Sequence, residues 1–121
     1  MPVLRIHGLR TDNLDVPTLL RTCSEGIAEA FACPVEQCWA LFVEVADGEY
    51  FEGGVYRTKT GSHSPVAVLS SYQGREASQV SQALRNVAEA VTSAYGFDRG
   101  DVFVEFRELA AGQVVTGGDV R

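Results

Sequence analysis

The chain has 121 residues, 45% hydrophobic and 21% charged, the balance of one folded domain and not of a disordered segment. Sixteen acidic residues against ten basic ones leave a net charge of −6. With no basic face to hold phosphates, nucleic acid and anionic membranes are excluded as natural partners. No apolar run approaches the ~18–20 residues of a membrane span. The start, MPVLRIHGLRTD, lacks a signal peptide's basic-then-apolar pattern, so a cytoplasmic protein is expected.

In chain order, PVLRIHGL (2–9) is rich in branched residues and reads as a strand. A polar turn follows, and Asp15 suits a helix N-cap, with Pro17 tolerated in the first turn. Val16, Leu19, Leu20, Cys23, Ile27 and Phe31 then recur along one helical face, Gly26 weakens the helix, and Pro34 is expected to stop it. CWALFVEV (38–45) reads as a second strand.

The second half repeats the plan. PVAVLSSY (65–72) is a strand, and Gln73-Gly74-Arg75-Glu76 turns into a helix. Val80, Ala83, Leu84, Val87, Val91 and Tyr95 share a face of that helix, and Gly96 sits where a C-terminal glycine belongs. VFVEFREL (102–109) is the last long strand. Two strand–helix–strand units, both opening with Pro-Val, predict an α+β domain spanning 1–121: a four-stranded sheet with two helices on one face. Apolar residues such as Trp39, Leu41, Val43 and Phe103 are then left on the uncovered face, which predicts self-association around a symmetry axis. Residues 46–64 read as a Gly-rich connector, and Gln113–Thr116 in the tail as a strand for a neighbouring chain. Three cysteines, Cys23, Cys33 and Cys38, show no metal-type spacing and read as reduced thiols, and two distant histidines give no metal site. No metal or cofactor is expected.

Pro2 is the most informative candidate. Removal of Met1 leaves a secondary amine, which serves as a general base or nucleophile when its pKa is drawn toward neutrality. An apolar pocket and nearby cations both do that. Otherwise the proline simply leads a strand. Arg75, at the start of the second helix, suits a carboxylate through a bidentate pair of hydrogen bonds, or else pairs with Glu76 or Asp98. His7 reads as a packed histidine or an assisting group. Tyr50, Phe51 and Tyr56 read as pocket walls or as packing.

With Pro2 opening PVLRIHGL, the duplicated unit, ADGEYFEGG (46–54) and PVAVLSSYQGRE, the chain resembles the tautomerase superfamily, which includes 4-oxalocrotonate tautomerase, macrophage migration inhibitory factor and malonate semialdehyde decarboxylase. It is most similar to bacterial tautomerase-like domains of this length. The resemblance implies a trimer, with Pro2 as the catalytic proline and Arg75 as the arginine that holds a substrate carboxylate. Where the oxalocrotonate enzymes carry a second arginine, this chain has Trp39, and the equivalent place in the second half holds Phe103. Gln73 replaces the first of the decarboxylase's two arginines, and Glu36 is the nearest stand-in for its carboxylate. The expectation is a tautomerase of small 2-oxo acids or their enols, with Pro2 as base, Arg75 as anchor, and Trp39, Phe51 and Phe103 as apolar walls. The alternatives are a noncatalytic trimeric module of the same fold and a Pro2-dependent decarboxylase or hydratase.

Overall fold

The computed structural model describes residues 1–98 and 101–121. Its order is β1 (Val3–Gly8), α1 (Val16–Phe31), a 3-10 turn (Val35–Gln37), β2 (Trp39–Glu44), then a short hairpin of β3 (Phe51–Glu52) and β4 (Val55–Tyr56). The second half runs β5 (Val66–Tyr72), α2 (Ala77–Tyr95) and β6 (Phe103–Leu109), followed by a second hairpin of β7 (Val115–Thr116) and β8 (Asp119–Val120). The long strands form one sheet in the order β2-β1-β5-β6. Each half closes on itself in parallel, β1 with β2 and β5 with β6, and the two halves meet antiparallel at β1 and β5.

Local chemistry sets the helix bounds. Asp15 caps α1, its carboxylate accepting the Thr18 N–H at 3.2 Å and the Thr18 hydroxyl at 2.8 Å. At the other end Ala32 takes a left-handed φ of 51°, and the Cys33 N–H reaches back to the Ala28 carbonyl at 3.1 Å. Pro34 therefore follows a helix that has already closed at Phe31, the last residue of the apolar stripe. In α2, Gln79 Oε1 accepts the Glu76 N–H at 3.2 Å, and Gly96 ends the helix with φ 74°.

Alternation along the strands sorts the sheet into two faces. Leu4, Ile6, Ala67 and Leu69 turn toward the helices and are fully buried against Leu19, Cys23, Ile27, Phe31, Ala83, Val87 and Val91. The helices cross closely at Gly26, whose carbonyl accepts from Asn86 Nδ2 at 2.9 Å. The opposite face carries Trp39, Leu41 and Val43 on β2 and Phe103 on β6, between 36% and 57% exposed. In the tail the strand is Val115–Thr116, shorter than the Gln113–Thr116 read from the sequence, and within the chain it pairs with Asp119–Val120 around Gly117-Gly118. Two successive glycines at positive φ, 63° and 85°, make that tight reversal. No helix among the described residues is long and apolar enough to cross a membrane.

Candidate active site

The antiparallel junction puts the start of β1 beside the end of β5, and the parallel pairs add the start of β2 and the end of β6. One end of the sheet therefore gathers Pro2, Trp39, Tyr72 and Leu109. Pro2 is fully buried there. Its carbonyl accepts the Trp39 N–H at 3.0 Å, so the ladder with β2 begins at this residue. Val3 pairs with Ser70, so one step further Pro2 stands opposite Ser71. Ser71 is wholly buried and its hydroxyl has no partner among the described residues.

Gly74 brings Arg75 into the same end. Its φ of 101° lies where only glycine is comfortable, and the chain turns there out of β5 toward α2. The Arg75 side chain does not pair with Glu76 or Asp98. It reaches across to the C-terminus of α1, where Nη1 donates to the Phe31 carbonyl at 3.0 Å and Cζ lies 4.3 Å from the centre of the Phe31 ring. A cation at a helix C-terminus meets the negative end of the dipole and gains further from the aromatic face. The other N–H groups of the fork have no protein acceptor among the described residues.

This guanidinium lies close enough to the chain's first amine to act on it. Burial and then Arg75 lower the Met1 amine below its ordinary value of 8.0. The thiols of Cys33 and Cys38 are also here, 3.9 Å apart. The C-terminal hairpin approaches from outside, with the Thr116 hydroxyl 4.0 Å from the Met1 sulfur. A cavity of about 350 Å³, lined by Tyr72, Gln73, Leu109, Ala111 and Arg121, opens at this end of the sheet. A larger hollow of about 600 Å³ lies between the helices, but Asp15, Glu25, Glu29 and Glu89 line it and no cation does, so it does not suit an anionic ligand.

Of the five residues singled out in the sequence, Pro2, Arg75 and Trp39 share this end. Phe103 does not. It pairs with Val66 and through it lies level with His7, about 16 Å along the strand from Pro2. Phe51 sits on the β3–β4 hairpin, packed on Tyr56 with ring centres 4.9 Å apart. Within one chain neither phenylalanine walls the Pro2 pocket. The repeat placed Phe103 level with Trp39 on the equivalent strand, and Phe51 was placed only in the connector; neither carried information on which end of the sheet it would occupy.

The opposite end is filled. His63 is 2% exposed, accepts the Leu9 N–H on Nε2 at 3.0 Å, and is boxed by the rings of Tyr50, Tyr95 and Phe97. The Tyr95 hydroxyl donates to the Leu9 carbonyl at 2.8 Å, and the Tyr50 hydroxyl to the Ser64 carbonyl. His7, half-buried on the open sheet face, is not part of this cluster. The box around His63 left no local pattern in the chain, because its rings come from the connector and from the far end of α2.

No family model matches the chain, and no curated protein does. Solved structures do. The F6 fused 4-OT, wild type, solved as an asymmetric trimer, superposes with TM-score 0.83 at 16% identity, over 98% of this chain and 94% of that one. Pt0534 inactivated by 2-oxo-3-pentynoate gives 0.81 at 17% identity, over 98% and 93%. Macrophage migration inhibitory factor of Toxoplasma gondii gives 0.71 at 14% identity, over 98% and 99%. The chain shares the fold of these structures: two β-α-β repeats, one four-stranded sheet and two helices on one face.

Proposed function

We propose that the protein is a cofactor-independent keto–enol tautomerase of small 2-oxo acids, working with Pro2 as base once Met1 has been removed. The supporting observation is the placement of the chain's start: Pro2 is buried at a sheet end where burial and the Arg75 guanidinium already lower the amine one residue ahead of it. With Met1 gone, the new amine lies one residue deeper, against Cys38 and Ser71, where burial and a nearby cation both favour its neutral form.

The Pro2 nitrogen takes the proton from the enol oxygen of the substrate and returns it to the adjacent carbon, leaving the 2-oxo acid. The free N–H groups of Arg75 hold the substrate carboxylate while its Nη1 stays on the Phe31 carbonyl. Trp39 forms one wall of the pocket. Phe51 and Phe103, distant within one chain, belong to the same pocket only if supplied by a neighbouring copy. A homotrimer, the assembly in which the fused 4-OT was solved, covers the exposed Trp39, Leu41, Val43 and Phe103.

The test uses ketonisation of phenylenolpyruvate and labelling by 2-oxo-3-pentynoate, the inactivator of the similarly folded Pt0534. An amine adds to the conjugated triple bond of that acid, so the label should map to Pro2. Pro2→Ala should lose the label and at least ~10²-fold in turnover, the usual worth of one proton-transfer group. Unchanged turnover in Pro2→Ala rules the assignment out. A noncatalytic module of the same fold is the better reading for any chain that keeps Met1, since Pro2 nitrogen is then an amide with no basic lone pair; the mass of protein made in cells separates the two. A Pro2 amine that stays protonated through neutral pH points instead to an acid role in decarboxylation or hydration.

A further inference from the structure

Cys33 and Cys38 lie in van der Waals contact, Sγ to Sγ 3.9 Å, with four residues between them, and no group of three or more His, Cys, Asp or Glu among the described residues could hold a metal ion there. Their backbones are fixed independently of the thiols. The Cys33 N–H bonds to the Ala28 carbonyl at 3.1 Å as part of the cap that ends α1, and the Cys38 N–H bonds to the Val35 carbonyl at 2.9 Å as the 3-10 turn feeds β2. Both residues are half-buried and pack against the same core beside Phe31. Two thiols held in contact by a rigid frame have already lost the loop freedom that disulfide closure must overcome.

We infer that Cys33 and Cys38 are a redox-responsive pair that closes to a disulfide by exchange with a low-molecular-weight disulfide, tying the C-terminus of α1 to the start of β2 beside Pro2. The Cys33 thiolate attacks one sulfur of the small disulfide and expels one small thiolate, leaving a mixed disulfide. The Cys38 thiol gives up its proton and attacks the Cys33 sulfur, expelling the second small thiolate. Two protein thiols are oxidised, one small disulfide is reduced to two thiols, and the two protons end on them.

Cys38 is suited to the second step. Burial, and then Cys33, push its thiol up to about 11, against weaker opposing pulls from the Met1 amine and Arg75. It is therefore a poor first nucleophile in bulk solution and acts only where its partner's sulfur is already in contact. Cys23, fully buried on α1 with its thiol pushed up to about 12, takes no part.

The bridge closes next to the candidate site. Val3 pairs with Trp39, so one step earlier Cys38 is the neighbour of Pro2 across the parallel ladder. Oxidation changes what Pro2 packs on and stiffens the helix end that Arg75 holds. Trp39, the single tryptophan, follows Cys38 directly and reports on it.

The pair itself is tested without reference to turnover, so its failure is distinguishable from failure of the tautomerase reading. The purified protein is equilibrated with oxidised glutathione. Free thiols should fall from the three of the sequence to one, with a mass lower by two hydrogens. Cleavage after Glu29, Glu36 and Glu44 should leave the Cys33 and Cys38 peptides joined only by the bridge. Trp39 emission should fall and recover with dithiothreitol in the wild type, and stay constant in Cys33→Ala. Three persistent thiols, glutathione retained with no bridged peptide pair, or an emission change that survives Cys33→Ala each overturn the inference.

Discussion

His63 accepts the backbone N–H of Leu9 on Nε2 at 3.0 Å, which requires a lone pair there and so places the ring proton on Nδ1. Nδ1 is buried and meets no acceptor among the described residues. A second proton would abolish the Leu9 bond and put a charge among three aromatic rings. Burial lowers the pKa of His63 below its usual 6.5; Glu52 opposes that shift and Arg57 adds to it. The unfolded chain thus binds this proton more readily than the folded one. The stability His63 contributes is complete above pH 6.5 and is lost as pH falls through the lower folded value. Urea unfolding followed from pH 8 to pH 5 should show this decline, and His63→Gln should flatten it. An equal decline in the variant assigns the effect to other groups.

Gly8 lies against the same box. A β-carbon there would come within 2.5 Å of the Tyr95 hydroxyl and 3.2 Å of His63 Nε2. Gly8→Ala should therefore cost about 1–3 kcal/mol through overpacking, measured by chemical denaturation. Gly8→Ala combined with Tyr95→Phe, which removes the clashing oxygen, should recover part of it. No recovery would mean that the clash is not with the hydroxyl.

Arg75 has two tasks that separate by substitution. Arg75→Ala removes a hydrogen bond and a cation from the end of α1 and uncovers the Phe31 ring, an expected loss of about 1–2 kcal/mol. Arg75→Lys keeps the charge and much of that stability but lacks the fork that holds a carboxylate while also bonding Phe31. In the tautomerase assay Arg75→Lys should raise KM with little change in melting temperature. A fall in stability with unchanged KM would make Arg75 purely structural.

Leu41 lies on the uncovered sheet face, 41% exposed and paired with Arg5. In a trimer this face is closed. Leu41→Lys places two like charges side by side at the centre of that face and should shift sedimentation from one larger species to the monomer. Arg5→Leu should leave the assembly intact. A wild type that sediments as a monomer at micromolar concentration removes the case for the assembly.

The repeated pattern along the chain was enough to anticipate the sheet, both helices and their faces, because hydrophobic period reports burial directly and Gly96 and Asp15 are strong local signals. Elements that depend on long-range packing were illegible. The last helical residue is Phe31, and Ala32 caps the helix before Pro34 is reached, because the Cys33 N–H finds the Ala28 carbonyl first. The tail folds on itself at Gly117-Gly118, and residues 46–64 form a hairpin and deliver His63 to the interior. For the site, Pro2 and Arg75 were visible as chemistry, whereas the Phe31 carbonyl under Arg75 comes from 44 residues away. The distance of Phe51 and Phe103 from Pro2 within one chain was not legible, because residue type says nothing about which end of a strand or which hairpin carries it.

Because β1 and β5 run in opposite directions, a half-turn about the middle of the sheet exchanges the two repeats. That operation carries Pro65 onto Pro2, and Asp12, ten residues beyond Pro2, onto Arg75. It also brings Gly8, with the His63 ring against it, to where Ser71 stands with an idle hydroxyl. The molecule thus contains its own control. A single scaffold is built twice, once closed by aromatic rings with Asp12 at the matching position, once with the unpartnered Ser71 hydroxyl and the Arg75 cation, and comparing the copies isolates the few substitutions by which the two corners differ.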